Sequence, residues 1–328
     1  MDSSSDFVGH VAKRLTQEEM AKMRAQNSRL VSEFRANQLE REAKKHWDLF
    51  YKRNDTRFFK DRHWTTREFS ELLGFGMGRG ENVLLEVGCG VGNFVYPLIE
   101  DGLIFGKIFA CDLSPRAVEL MRNHARYDPE KMKIFQTDIT AEDCFADVEC
   151  SVTVATLIFV LSAIHPEKFR KVVENLYNVL DNGGVVLLRD YGLYDMAQLR
   201  FKPGHKIDEN FYMRQDGTRS YYFSVEEVSN LFESVGFKTL TCGYVQRRTA
   251  IVLLAMFAIA YAAENLPETE ELGPTAPFIR APRDKRGVLL NYNAALSYPY
   301  SSPIAYARTY SLPYAYNSYP YNYYNSYY

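Results

Sequence analysis

The chain has 328 residues, 46% hydrophobic and 24% charged, at a formal net charge of −2. These values suit one large α/β domain or two small ones with a real core. They exclude a collagen-like, wholly disordered or disulfide-scaffold protein. Cys89, Cys111, Cys144, Cys150 and Cys242 form no Cys-x-x-Cys pair, so they read as free thiols of a reducing compartment.

The polar start, MDSSSDFVGH, has no apolar core and does not read as a signal peptide. Thr16-Gln-Glu-Glu19 predicts a capped helix start, and helix-forming residues then run nearly to Asn54. Short apolar strands are predicted at 83–88, 107–112, 133–138, 152–159 and 185–190. Helices are predicted between them at 93–100, at 115–124 with Ser114 as cap, and at 166–180, closed by Asn182-Gly183-Gly184. A helix at 224–235 and a strand at 237–245 complete the series. Such alternation predicts a doubly wound α/β fold, its parallel sheet covered on both faces.

Composition shifts near Arg248. Residues 249–263 run TAIVLLAMFAIAYAA without a charge, too short for a comfortable membrane span. The run reads either as a buried element of the preceding domain or as an embedded signal-like stretch. For the second reading, Arg247-Arg248 stands before it and Ala260-Tyr261-Ala262 near its end. Only as such a signal would it touch a membrane, and it would then mark the join of two fused coding segments. Residues 264–328 hold most of the chain's tyrosines among Pro, Asn and Ser, with little aliphatic content, and read as disordered.

The strongest local signal is Glu86-Val-Gly88-Cys-Gly90-Val-Gly92-Asn93, directly after the first of these strands and opening a helix. Glycines there allow positive φ and close approach of a ligand to the backbone. Asp112 ends the next strand, where a carboxylate accepts from ribose hydroxyls, and Asp138 ends the third, placed to meet an adenine edge. The spacing is not Gly-x-Gly-x-x-Gly, which argues for a nucleoside ligand over a dinucleotide. The set resembles the class I S-adenosylmethionine-dependent methyltransferases, with a Rossmann-like fold.

Four longer motifs narrow the resemblance. HWDLFYKRNDTRFFKDRHWTTREF (46–69), LIFVLSAIHP (157–166), LLRDYGLYDMAQLRFK (187–202) and NFYMRQDGTRSYYF (210–223) are similar, in this order, to the tRNA 3-methylcytidine methyltransferases. The resemblance covers residues 13–246. It implies a helical extension over 1–70 and a methyltransferase domain over 71–248. It further implies S-adenosylmethionine as cofactor, with Trp47 and Tyr51 covering it and Gly88, Asp112, Asp138, Ile139 and Ile158 in contact. The implied substrate is cytosine 32 of serine tRNAs, with seryl-tRNA synthetase as a helper. The chain departs from the family twice. Thr153 stands where an aspartate is usual, and the pattern stops near Arg247, before a final antiparallel strand that Ile251–Ala258 is apolar enough to replace.

Cytosine N3 carries a free lone pair at neutral pH, so transfer needs positioning and charge stabilisation but no general base. Asp190 is the candidate to face the developing charge, and Tyr191 and Phe159 are candidates to stack on an extruded base. Two basic clusters with interleaved aromatics suit a looped RNA. The first runs from Arg41 to Arg67 and includes Arg53, Lys60 and Arg62; the second comprises Arg200, Lys202, Lys206, Arg214 and Arg219. His63 and His165 lack the partners of a metal site, and no metal is expected. The reading places the chain in the cytoplasm and the nucleus.

Overall fold

The computed structural model describes residues 7–58, 61, 62, 68, 69, 72, 74, 82–247 and 250–259. The candidate contact Lys60, His63 and the Tyr-rich segment 264–328 lie outside these residues, as do Ala260-Tyr261-Ala262. The described residues all belong to one compact unit.

The long N-terminal helix expected from composition is three helices, α1 (Gln17–Gln26), α2 (Glu33–Arg41) and α3 (Ala43–Asn54). A side-chain cap marks the first break, while the second, at Glu42, has none. Thr16 and Glu19 form the predicted capping box, and Ser32 caps α2 by accepting from Arg35 N. Each such cap stabilises a helix end by about 1 kcal/mol.

Strand β1 (Phe7–Gly9) precedes these helices. After them come β2 (Val83–Val87), α4 (Val95–Glu100), β3 (Lys107–Asp112), α5 (Pro115–Arg122), β4 (Met132–Gln136) and β5 (Val152–Ile158). Then follow α6 (Phe169–Val179), β6 (Leu180–Tyr191), α7 (Met196–Arg200), β7 (Lys206–Asp208), β8 (Phe211–Met213) and β9 (Arg219–Tyr221). Helix α8 (Val225–Glu233), β10 (Phe237–Arg247) and β11 (Ala250–Ile259) close the series. The main sheet has the order β1-β10-β11-β6-β5-β2-β3-β4, and β7-β8-β9 form a small second sheet.

Strands β6, β5, β2, β3 and β4 are parallel, and both their faces are covered. Alternation decides which side each residue joins. Leu85 and Val87 pack with Phe109, Leu157 and Phe232, while Leu84 packs with Phe94, Ile108 and Leu187 on the other face. Helix α6 places Phe169, Val172, Val173 and Leu176 on one buried stripe, the spacing of an amphipathic helix. Asn182-Gly183-Gly184, read from sequence as the stop of that helix, lies inside β6, because α6 passes straight into the strand at Leu180. Thr153 ties β5 to β2: its Oγ1 accepts from Val83 N at 2.9 Å and donates to Val83 O at 3.0 Å.

The apolar run forms strand β11, antiparallel to β6 on one side and to β10 on the other. The sheet therefore extends past residue 248, the limit expected for the methyltransferase domain, since β10 cannot reach β6 without the strand between them. Strand β1 covers the outer edge of β10. No helix among the described residues is long and apolar enough to cross a membrane.

A fragment ending at residue 248 lacks β11 and leaves two long unpaired strand edges, which invite association. It should aggregate or lose cooperative melting, whereas a fragment ending at residue 266 should melt as the full chain does. Thermal melting with light scattering checks this.

Candidate active site

The parallel strands end at one edge of the sheet, and a cleft of about 310 Å³ opens there. Trp47, Tyr51, Arg62, Gly88, Gly90, Asp112, Asp138, Ile139, Ile158 and Phe159 line it, so the structure gathers most of the sequence-derived candidates at one place. Its position outside the carboxyl ends of the strands is where open α/β sheets bind ligands.

The turn after β2 carries Gly88, Gly90 and Gly92 at φ of +68°, +55° and +89°. At Gly90 a Cβ would lie 2.9 Å from Tyr51 Oη, so only glycine lets α3 come down onto the turn. The Gly90 amide donates to Asp112 Oδ2 at 3.0 Å, and Ser114 N donates to Asp112 Oδ1 at 2.8 Å. Asp112 thus joins the first strand-end turn to the second. Gly92 does not line the cleft; a Cβ there would meet the Tyr96 ring at 2.3 Å, so its role is to admit α4's first turn.

Glu86 also lies behind the cleft wall, 2% exposed, and its Oε2 has no hydrogen-bond partner among the described residues. Burial pushes its carboxyl up to about 8; the Arg62 guanidinium pulls it back, and the Asp112 charge adds to the rise. Burial likewise raises Asp112 to about 6, against the backbone N–H groups that favour its charged form. Burial thus holds both acids in a low-dielectric site, with Arg62 as counter-charge to Glu86.

Helix α3 is the cover. Trp47 and Tyr51 project from successive turns into the cleft, with Phe50 packed between them at ring distances of 5.4 and 5.3 Å. Asp48 fixes the helix from its flank: its Oδ1 accepts from Ser114 Oγ at 2.9 Å and from Arg116 N at 3.3 Å, at the start of α5. Sequence reasoning missed Asp48, whose only signal is its place between the two covering aromatics. On the far side Asp138, past the end of β4, holds Thr140 N at 2.9 Å and Thr140 Oγ1 at 2.8 Å.

Asp190 is fully buried and does not line the cleft, with Oδ2 accepting from Ser162 N and Oδ1 from Tyr191 N, each at 2.9 Å. It fixes the turn Leu161–Ala163 and the backbone at Tyr191. Beside it, Phe159 sits at φ +61°, a conformation that costs a non-glycine residue about 1–3 kcal/mol. That turn aims its ring at Tyr191, 4.9 Å away and tilted by 44°. Arg62 lies 5.7 Å from the Phe159 centroid, and Arg214 lies 5.1 Å from that of Tyr191.

The basic candidates divide. Arg53, Arg200 and Lys202 are exposed. Arg62 faces into the cleft and Arg214 lies over Tyr191, so neither has the outward position expected of a phosphate contact. Arg219 is buried and paired with Glu40, and Lys206 is buried and held by Asn27 and Glu209. Among the described residues no group of three or more His, Cys, Asp or Glu could hold a metal.

Strand order and site together define a class I S-adenosylmethionine-dependent methyltransferase. Residues 85–186 match the model of the methyltransferase domain family. An S-adenosylmethionine-dependent methyltransferase from Clostridium acetobutylicum is a structural neighbour (TM-score 0.49, 12% identity, 66% of this chain and 98% of that one). In sequence the chain is 52% identical to mouse tRNA N(3)-cytidine methyltransferase METTL6 over 74% of this chain and 86% of the relative. It is 44% identical to the fission-yeast tRNA N(3)-methylcytidine methyltransferase trm141 over 66% of this chain and 88% of that protein. The chain belongs to the tRNA N(3)-methylcytidine methyltransferase family. Its cofactor is S-adenosylmethionine, and the positive-φ turn and the strand-end carboxylates Asp112 and Asp138 that line the cleft fit that molecule.

Glu86 ionises near 4.5 in an unfolded chain and near 8 in the folded one, so the folded state holds the extra proton over that window and stability falls as pH rises. The Glu86→Gln variant escapes this loss. Without ligand it should melt above wild type at alkaline pH, with the gap closing toward pH of about 5. Melting scans across pH check the sign; a gap independent of pH refutes the burial of a titrating acid.

Proposed function

We propose that the chain methylates N3 of cytosine 32 in the anticodon loop of tRNA, with serine tRNAs as substrates and seryl-tRNA synthetase as a helper, in the cytoplasm and nucleus. The observation that carries the reading is the aromatic pair Phe159–Tyr191, of which Phe159 lines the cleft, with Arg62 beside the first ring and Arg214 beside the second. The names of the relatives, which place tRNA N3-cytidine methylation in this family, support the substrate class.

Bound S-adenosylmethionine supplies an electrophilic methyl group on a sulfonium. The chain's own part is positioning. Phe159 and Tyr191 present ring faces to a base taken out of its stack, and Arg214 packs on Tyr191 to fix that ring. Asp190 holds the Tyr191 backbone in place. No side chain has to take a proton from the acceptor nitrogen, so alignment of the base supplies the rate. The aromatic walls and the α3 cover keep water away from the transfer.

We assign the outer contacts to Arg53 on α3 and to Arg200 and Lys202 at the end of α7, all exposed. The N-terminal helices are tied to the α7–β9 region. Gln26 on α1 donates to Gln198 O at 2.8 Å and accepts from Tyr212 Oη at 2.9 Å, and His46 Nδ1 lies 3.2 Å from Asp216 O.

Mass spectrometry of serine tRNA incubated with the full chain and cofactor tests the reading, and 3-methylcytidine at position 32 is the expected product. Unmodified tRNA beside intact cofactor binding overturns it in favour of another RNA, a protein or a small molecule. Arg200→Glu with Lys202→Glu should weaken tRNA binding while leaving cofactor affinity alone, and should shallow the logarithmic salt dependence by about 2. Titrations at several salt concentrations check this.

A further inference from the structure

Three charged groups from three elements meet beside the cleft. Glu40, near the end of α2, lines it, and its Oε1 lies 2.5 Å from Lys168 Nζ. Its Oε2 pairs with Arg219, the first residue of β9. Lys168 closes the short 3-10 turn Pro166–Lys168 just before α6. Arg219 is committed further, since its Nη2 donates to Ala163 O at 3.2 Å and its guanidinium lies 5.4 Å from the Phe211 centroid. Ala163, Ile164, His165 and Lys168 all line the cleft. A single carboxylate thus joins the N-terminal arm, the 161–168 loop and the small sheet.

The chemistry makes that carboxylate hard to replace. Lys168 and Arg219 repel one another unless a negative charge stands between them, and Arg219 is too buried for water to do the screening. Burial pushes the Glu40 carboxyl up, but the Lys168 and Arg219 bonds outweigh it and hold the group below its ordinary range. It is therefore charged at neutral pH.

Movement at Glu40 passes directly to the cover. Helix α2 ends at Arg41 and α3 begins at Ala43, with Glu42 between them. Glu42 N donates to Gln38 O and His46 N to Glu42 O, each at 2.9 Å, so the backbone carries the two helices as one arm. Trp47 and Tyr51 lie on that arm.

We propose that Glu40 is a positioning residue of this transferase. Its carboxylate clamps the α2–α3 arm to the 161–168 loop and so holds Trp47 and Tyr51 over the cofactor, while it touches neither the methyl group nor the acceptor base. The proposal rests on the reading of the cleft as the S-adenosylmethionine site.

The test uses full-length Glu40→Gln, which keeps the size and loses the charge. Calorimetry with S-adenosylhomocysteine should show binding weakened about tenfold. The KM for S-adenosylmethionine should rise in step, with kcat at saturation within about twofold of wild type. Glu40→Asp, which restores the charge on a shorter stem, should recover part of the affinity. A Glu40→Gln chain that binds as tightly as wild type, even if it melts earlier, overturns the proposal. If that chain does not fold, Lys168→Gln removes one tie at a half-exposed site and should weaken binding about threefold; unchanged binding there overturns the proposal too. Wild type giving no binding overturns the cofactor reading itself, whereas normal wild-type binding beside an unaltered variant overturns only the role of Glu40.

Discussion

The whole arrangement depends on two carboxylates being kept dry. Glu86 and Asp112 stand at the ends of neighbouring parallel strands, and burial raises both above their ordinary values. A fold tolerates such groups only when something compensates them. Here Asp112 is satisfied by the Gly90 and Ser114 amides, and Glu86 has Arg62 nearby while one of its oxygens has no hydrogen-bond partner among the described residues. Glu86 answers its burial by holding a proton up to a pH of about 8. Site and scaffold are in this sense one electrostatic problem, with the glycine turn and the α3 cover arranged around it.

The modules that flank the cleft follow from the same need. An aromatic cover on a helix has to be held down, and helix propensity alone does not do that. The arm formed by α2 and α3 is tied at Asp48 to the start of α5, at Glu40 to the loop after β5, and at His46 to the turn before β9. None of these ties is apolar. Polar ties specify one geometry, because each fails unless donor and acceptor both arrive.

Much of this was legible in the sequence, and the limits have physical reasons. The central strands declare themselves through short apolar runs, and the glycine turn through its spacing. The strand-end acids follow from the fold class. What sequence periodicity does not carry is the direction of a side chain at the end of an element. Asp190 faces the turn at Ser162, Arg62 faces inward, and Arg219 is consumed by Glu40. Basic residues in one run therefore divide between an outer surface and a buried framework, and only long-range partners separate them. The three-helix division of the N-terminal region was hidden for a different reason: Ser32 and Glu42 are compatible with a continuing helix, and Glu42 makes no side-chain cap that would mark the second break.

Strand β11 comes last among the described strands in sequence, yet it sits in the interior of the sheet, between β6 and β10. Chains emerge from the ribosome N-terminus first and fold as whole domains. Throughout synthesis β10 therefore has no route to the parallel strands, and the two parts of the sheet stay open to strangers until Ile259 has emerged. A nascent chain of this protein is most in need of a chaperone at its final stage, and premature termination just short of that strand yields a sticky product rather than a weakened enzyme.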